Sequence, residues 1–359
     1  ITGSKVEHPV KMVKDRTELI DEEVCLSEVT ILINDTDRKK YYYLQSKDRK
    51  DMVIMPLERL DQTCPLGEVP RFFIYFPLLG TQNFGLNYIF HSERFYPEEP
   101  RNAIVLPEDN IDKKAKYEAN AAVLNDMTAL LFAFLDKYGD KVNDATELAV
   151  VNIDPHDESH QLTNAFYNGL RQQYIAKMLT VPFLTVNEEN VAVSQNDKVR
   201  FLSPEIVGFL STEEGALYMD VVYDYAKEVS LLPKKEECLE WSKIVGDWEP
   251  TATERFVTIK DIVESISETN DINKLLQFLL FLKESKQLDT FAAAPIFPNR
   301  EGTLRSRQSL YDASDITDIL YNVAKPLIPG DTERFISEEF PSFLLCSLFL
   351  TFNLFARSI

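Results

Sequence analysis

The sequence predicts an α+β protein in which an N-terminal sheet precedes a mostly helical part with a small hairpin. Short runs of β-branched and aromatic residues fill the first 110 positions, separated by turn residues. From Asp112 onward apolar residues recur every three or four positions, the spacing of an amphipathic helix. We therefore expect a β-rich domain at residues 1–110 and a mainly helical one at 111–359, joined near the charged stretch 109–113.

The β-rich domain is expected to contain a mainly antiparallel sheet. Its strands are predicted at residues 26–34, 40–45, 52–57, 71–79 and 86–91. Little helical pattern lies between these runs, which favours antiparallel pairing with one packed face and one wet face.

The second domain begins with a predicted helix whose apolar stripe includes Leu124, Met127, Leu131 and Phe134 and which the Tyr138-Gly139 pair can end. Further helices are predicted at residues 161–179, 212–229, 235–246, 259–268 and 273–285, and a small hairpin at 183–202. Ser211 followed by Glu214 matches a capping box, which would start the helix at 212. Trp241 and Trp248 lie seven residues apart, so we expect both in the core.

Charge and glycine content exclude several classes of function. The 359 residues include 58 acidic and 38 basic side chains, a net charge of −20, which opposes binding to nucleic acid or anionic membranes. Only 11 glycines are present, and none forms a phosphate-binding loop or a dinucleotide fingerprint. No apolar run has the length of a membrane span.

The cysteines and the N-terminus indicate a cytoplasmic protein. The four cysteines form no Cys-x-x-Cys pair, so we expect reduced thiols: Cys25, Cys64, Cys238 and Cys346. The chain begins at Ile1, is charged over its first residues and carries no apolar leader, so we expect a piece of a longer protein.

Two segments resemble sacsin-like proteins, relatives of the ninety-kilodalton heat-shock chaperone. Residues 74–106, IYFPLLGTQNFGLNYIFHSERFYPEEPRNAIVL, match a strand ending in Phe-Pro-Leu and Gly-Thr, then an aromatic strand and a Pro-Arg-Asn-Ala-Ile element. Residues 294–311, APIFPNREGTLRSRQSLY, are similar to the family's Leu-Pro-Asn-Gln-x-Gly element, after which a helix is expected at 315–325. Residues 238–248, CLEWSKIVGDW, also resemble the family in their general pattern of residue types.

The resemblance implies an ATPase of the GHKL class, in which a nucleotide-binding domain precedes a β-α-β transducer domain and a helical region. No Asp-x-Gly-x-Gly lid occurs here, and no predicted helix carries the family's Glu-x-x-x-Asn. The chain would then be the middle region, with residues 1–110 as the transducer-like domain and no cofactor of its own. ATP and magnesium would belong to the missing N-terminal ATPase domain, its expected partner; whether the longer protein hydrolyses ATP stays open.

Arg101 is the candidate for contact with the γ-phosphate of the nucleotide. In GHKL proteins the middle domain commonly contributes a cationic side chain that contacts this phosphate. It follows Pro100, which restricts the backbone, in a loop that could face a neighbouring domain. Arg94 is the second choice. The alternative is a structural ion pair between Arg101 and a nearby carboxylate, from Glu98, Glu99 or Asp109. The turn at residues 80–83 either takes part in this junction or serves only as a turn.

A zinc site is a weaker hypothesis. His156 and His160 lie four residues apart, a spacing that places two imidazoles on one helix face and would suit a zinc-dependent hydrolase. Their intervening glutamate does not occupy the position it has in known zinc-hydrolase motifs. The alternative is a polar turn in which Asp157 or Ser159 caps the helix from residue 161.

The uncharged segment at residues 340–356 is expected to be buried or to dock on a neighbouring domain, a second subunit or a client protein. The sequence thus favours the middle region of a sacsin-like, chaperone-related ATPase that couples nucleotide state to conformational change or client binding. The main alternative is a non-enzymatic interaction scaffold with the same fold.

Overall fold

The computed structural model describes residues 10–20, 24–33, 37–47, 50–107, 111–153, 161–195, 198–267, 271–311 and 317–336. Its strands are β1 Val10–Leu19, β2 Val24–Ile33, β3 Asp37–Ser46, β4 Asp51–Met55, β5 Leu57–Arg59, β6 Gln62–Thr63, β7 Phe72–Phe73, β8 Ile89–Ser92, β9 Leu184–Val186, β10 Glu189–Val191, β11 Phe201–Leu202, β12 Phe256–Val257, β13 Phe297–Pro298 and β14 Leu304–Arg305. Its helices are α1 Lys114–Tyr138, α2 Thr146–Ala149, α3 Gln161–Met178, α4 Pro204–Leu210, α5 Met219–Val229, α6 Lys235–Trp248, α7 Ile259–Ser265, α8 Ile272–Glu284, α9 Asp318–Ala324 and α10 Pro329–Thr332. The chain is therefore α+β, as the sequence predicts. Within these ranges no helix combines the length and the apolar character that crossing a membrane requires.

The chain divides into two compact units, each made of two stretches of sequence. The first contains Ile1–Asp197 and Glu236–Thr251, and the second contains Lys198–Lys235 and Ala252–Ile359. The boundary expected near residues 109–113 lies inside the first unit, because α1 begins just after it and packs on β3 and β4.

The first unit is built on a six-stranded sheet in the order β1-β2-β3-β4-β8-β7. Every neighbouring pair is antiparallel except β7 and β8, so the expected, mainly antiparallel pairing is confirmed. The predicted strand at 71–79 is wrong beyond Phe73, because the chain folds back at Pro77 and Leu78 N donates to Phe72 O at 3.0 Å. The edge strand β1 was not predicted, since its charged residues hide the alternation expected of a strand.

Helix α1 covers one face of this sheet and closes the core of the unit. Leu44, Val53 and Phe90 on the sheet are fully buried, as are Met127 and Phe134 of the helix. The apolar stripe that predicts α1 is therefore the face that packs. Truncating a fully buried phenylalanine in such a core costs about 3–5 kcal/mol.

The rest of the first unit packs around α3, α6 and a β9–β10 hairpin. Trp241 is fully buried, stacks on Phe183 with ring centroids 6.1 Å apart, and lies 6.4 Å from Trp248. The core position expected for both tryptophans is confirmed. The predicted hairpin at 183–202 is shorter, because Phe201–Leu202 pairs in parallel with Phe256–Val257 in the second unit.

The second unit is mainly helical, with α8 contributing a fully buried apolar face that includes Phe278, Leu279 and Phe281. Ser211 ends α4 rather than beginning the next helix, so the predicted capping box is wrong there. Its hydroxyl donates to Val207 O at 2.8 Å. A true capping box opens α7, where the Thr258 and Asp261 side chains bond to each other's backbone amides.

Candidate functional site

The two halves of the 74–106 segment meet at Gly80. Its amide donates to Asn102 O at 3.1 Å, and a Cβ atom built on it would lie 2.4 Å from that oxygen. No side chain fits at this distance, so the Gly-Thr turn is required for the close approach of the Pro-Arg-Asn loop.

Thr81 fixes the same turn from inside. Its buried hydroxyl accepts hydrogen bonds from the amides of Arg71 and Phe72, at 2.9 and 3.1 Å, and donates to Leu78 O at 2.8 Å. The Arg71 guanidinium is buried and donates to three carbonyl oxygens of the surrounding chain: those of Gly67, Val69 and Leu86. Burial lowers the pKa of Arg71. This arginine therefore holds the loop together and is not presented to a ligand.

Arg101 lies at the tip of a tight hairpin held at its base by α1. Glu98 N donates to Ala103 O at 2.9 Å, and Val105 N donates to Tyr96 O at 2.9 Å. The Asn120 side chain, 1% exposed, accepts from Tyr96 N at 2.8 Å and donates to the carbonyls of Tyr96 and Val105 at 2.9 Å each. One amide of α1 thus satisfies three backbone groups of the hairpin.

The Arg101 side chain is exposed and oriented by its neighbours. Its backbone has a φ of 70°, a conformation uncommon outside glycine, and its amide donates to Glu98 O. The guanidinium carbon lies 5.3 Å from the centre of the Phe76 ring, within the range of a cation–π contact.

None of the described carboxylates forms an ion pair with Arg101, which was the alternative interpretation of this residue. Glu98 instead pairs with Lys113 Nζ at 3.7 Å. Glu99 pairs with no cation within the ranges given above, and Asp109 lies outside them.

Arg94, the second choice, is held by two carboxylates. Its guanidinium forms an ion pair with the buried Asp51 and a second one with Asp126 at 2.7 Å. The hydrogen bond to Asp51 raises the pKa of Arg94. A new anion would have to displace these carboxylates, so Arg101 is much the more available arginine.

Large side chains close to Phe76 in the sequence are exposed. Tyr75 is 74% exposed and Leu79 is 68% exposed, while Phe76 lies beneath the guanidinium. We call Tyr75, Phe76, Leu79 and Arg101 the Arg101 surface. Exposed aromatic and aliphatic side chains and arginine are residue types typical of protein interfaces.

Comparison with known proteins gives no relative. No family model, curated protein or solved structure matches the chain.

The zinc hypothesis remains a prediction, because His156 and His160 both lie outside the described residues. In the part of the chain that the structure describes, no three histidine, cysteine or acidic side chains are grouped to hold a metal. The apolar segment at 340–356 is likewise outside it.

Sequence reasoning identified Arg101 but missed Phe76 and Asn120. A polar residue in the buried stripe of α1 was the available signal for Asn120. No sequence signal pairs Phe76 with Arg101, because their contact depends on the fold-back at Gly80.

Proposed function

We propose that this chain is the middle region of a sacsin-like GHKL ATPase and that Arg101 contacts the γ-phosphate of a nucleotide bound by a preceding domain. The observation that carries the proposal is the placement of Arg101: it is exposed, stacked on Phe76, and set at the tip of a hairpin tied to α1. No described carboxylate pairs with its guanidinium, which is therefore available to contact a phosphate.

An arginine in this position suits phosphoryl transfer. Negative charge on the transferred phosphoryl group is stabilised by a guanidinium held in place beforehand, because little reorganisation is then needed during reaction. Hydrogen bonds at the hairpin base and the Phe76 contact supply that fixed position.

The exposed side chains of Tyr75 and Leu79 would supply the docking contact. Tyr75 and Leu79 can be covered when the nucleotide-binding domain closes, and their burial would favour the state in which Arg101 reaches the phosphate. Nucleotide state would thereby be coupled to conformation. ATP and magnesium belong to the partner domain in this proposal, and the location is cytoplasmic.

The test is ATP turnover by the full-length protein carrying Arg101→Ala. We expect kcat to fall by about 10²–10³-fold, the effect of removing one preorganised charge-stabilising group. Arg101→Lys should recover only part of the rate, since an ammonium lacks the planar fork of the guanidinium.

Arg59→Ala is the matched control. Arg59 is an exposed arginine of the same unit that pairs with Asp61 at 2.8 Å, so its loss should leave turnover unchanged. Equal rates for wild type and Arg101→Ala, with ATPase activity present, would remove Arg101 from the reaction.

The second candidate is a non-enzymatic interaction scaffold, which the exposure of Tyr75 and Leu79 favours. A scaffold would lose partner binding when both side chains are changed to serine. It would show no ATP turnover in the full-length protein, with or without Arg101.

A further inference from the structure

Helix α9 in the second unit carries an exposed apolar face. Ile319, Leu320 and Val323 lie on one side of the helix, since residues three and four apart are neighbours on a helix surface. They are between 57% and 78% exposed, and Leu327 in the following turn is 74% exposed. We call these four residues the α9 surface. In the described part of the second unit, the one other exposed large apolar side chain is Leu217, so the exposed apolar area is concentrated on the α9 surface.

The charged side chains in and just after α9 lie on the other side of the helix and are paired there. Asp318 forms an ion pair with Arg300 at 2.7 Å, and Lys325 forms one with Glu301 at 2.5 Å. Tyr321 lies between these pairs, with its ring centre 4.4 Å from the guanidinium carbon of Arg300. The α9 surface itself therefore carries no charge, and it suits an uncharged, apolar occupant.

The last described residues lie against this helix. The Phe335 ring packs edge-on against Tyr321 with centroids 6.3 Å apart, and Ile336 N donates to Tyr311 O at 3.1 Å. Phe340 follows Ile336 by four residues, which span at most about 14 Å in an extended chain. A helix with its side chains is roughly 10–12 Å wide. The chain after Ile336 is therefore long enough to pass α9 and reach the α9 surface.

Residues 340–356 have the composition that such a surface requires. The segment, FPSFLLCSLFLTFNLFA, contains no charged residue, and ten of its 17 residues are phenylalanine or leucine. Contact of so many large apolar side chains with water is unfavourable. The short connection to Ile336 gives the segment an effective concentration at the α9 surface of the order of millimolar, which favours it over a second molecule.

We propose that the α9 surface is the docking site for residues 340–356 of the same chain. The segment places its phenylalanine and leucine side chains against the four residues of the α9 surface and so completes the second unit. The sequence left open whether this segment is buried or docks on a neighbouring domain, a second subunit or a client protein. The α9 surface gives it a place within its own unit, independently of any role of Arg101.

Hydrogen exchange of the whole chain, followed by mass spectrometry, tests this docking. We expect the amides of residues 340–356 to be protected in the wild type. They should exchange about tenfold faster or more in the double variant Ile319→Ser, Val323→Ser, because both changes remove apolar contacts from the docked state. Helix α8 should keep its protection in the variant, which shows that the unit remains folded. Leu217→Ser is the matched control: this side chain is 79% exposed in the same unit, and its loss should leave the exchange of residues 340–356 unchanged.

The molecular mass in solution, measured by light scattering, separates docking within one chain from docking between two copies. We expect the wild type and the double variant to have the same mass, and the protection in the wild type to be independent of protein concentration. A lower mass of the variant, or protection that rises with concentration, would mean that a second copy covers the α9 surface, and would overturn the proposal. Unprotected amides at residues 340–356 in the wild type would leave the surface to another protein and would overturn it as well. Equal exchange in the wild type and the double variant, or the same acceleration in Leu217→Ser, would have the same consequence.

Discussion

Single residues explain why the two motifs of the 74–106 segment occur together. Gly80 allows the backbone of the Gly-Thr turn to touch Asn102, and Gly85 does the same at Asn152. In the other segment, residues 294–311, the Asn299 side chain fixes a turn in a comparable way. It accepts hydrogen bonds from the amides of Glu301 and Thr303 at 3.0 and 2.8 Å. Conformation, rather than ligand contact, accounts for these positions.

Gly80→Ala is expected to destabilise the first unit. The added methyl group would lie 2.4 Å from Asn102 O, and because that atom belongs to the backbone the hairpin must shift. We expect a loss of about 1–3 kcal/mol in the free energy of unfolding, measured with urea.

The control for this change is Gly169→Ala in α3. No heavy atom lies within 4 Å of a Cβ at Gly169, so alanine should stabilise the helix by about 0.5–1 kcal/mol. If both variants were equally stable, the contact between Gly80 and Asn102 would not be tight in solution.

At the scale of elements, long periodic segments were predictable and short irregular ones were not. The stripe in α1 is strong enough to predict the helix and the side that packs on the sheet. The charged strand β1 is extended because it pairs along β2, which no local pattern reveals. The fold-back after Phe73 depends on tertiary hydrogen bonds to Thr81, so a local apolar run there wrongly predicts a strand.

Helix α1 also holds the Arg101 hairpin, and Asn120→Leu should release it. The change removes the partner of the Tyr96 amide and of the Val105 carbonyl, while Tyr96 O keeps the bond from Val105 N. Each unsatisfied buried group costs roughly 1–3 kcal/mol, and partial access to water should limit the total loss to about 2–4 kcal/mol. Urea unfolding measures this loss.

Asn125→Ala serves as the control, because Asn125 is exposed on the same helix and alanine is the better helix former. Its stability should equal or exceed that of the wild type. A loss as large as that of Asn120→Leu would mean that α1 itself, rather than the hairpin bonds, is sensitive to change.

At the scale of the whole molecule, the change from strand-like to helix-like patterns predicted the α+β class, but not the organisation in two units. Each unit contains two separate stretches of the chain, so no single charged linker marks the boundary between them. The candidate site was predictable only as a residue type: an arginine after proline. Its φ of 70° and its contact with Phe76 arise from the packing of distant residues.

The central claim is that Arg101 acts on a nucleotide bound by another domain, and the separation of kcat from ATP affinity tests it most directly. In the full-length protein, Arg101→Ala should lower kcat by about 10²–10³-fold while the Kd for ATP changes little, because the contact strengthens as charge develops during reaction. An unchanged kcat in a folded Arg101→Ala variant of an active ATPase would contradict the claim.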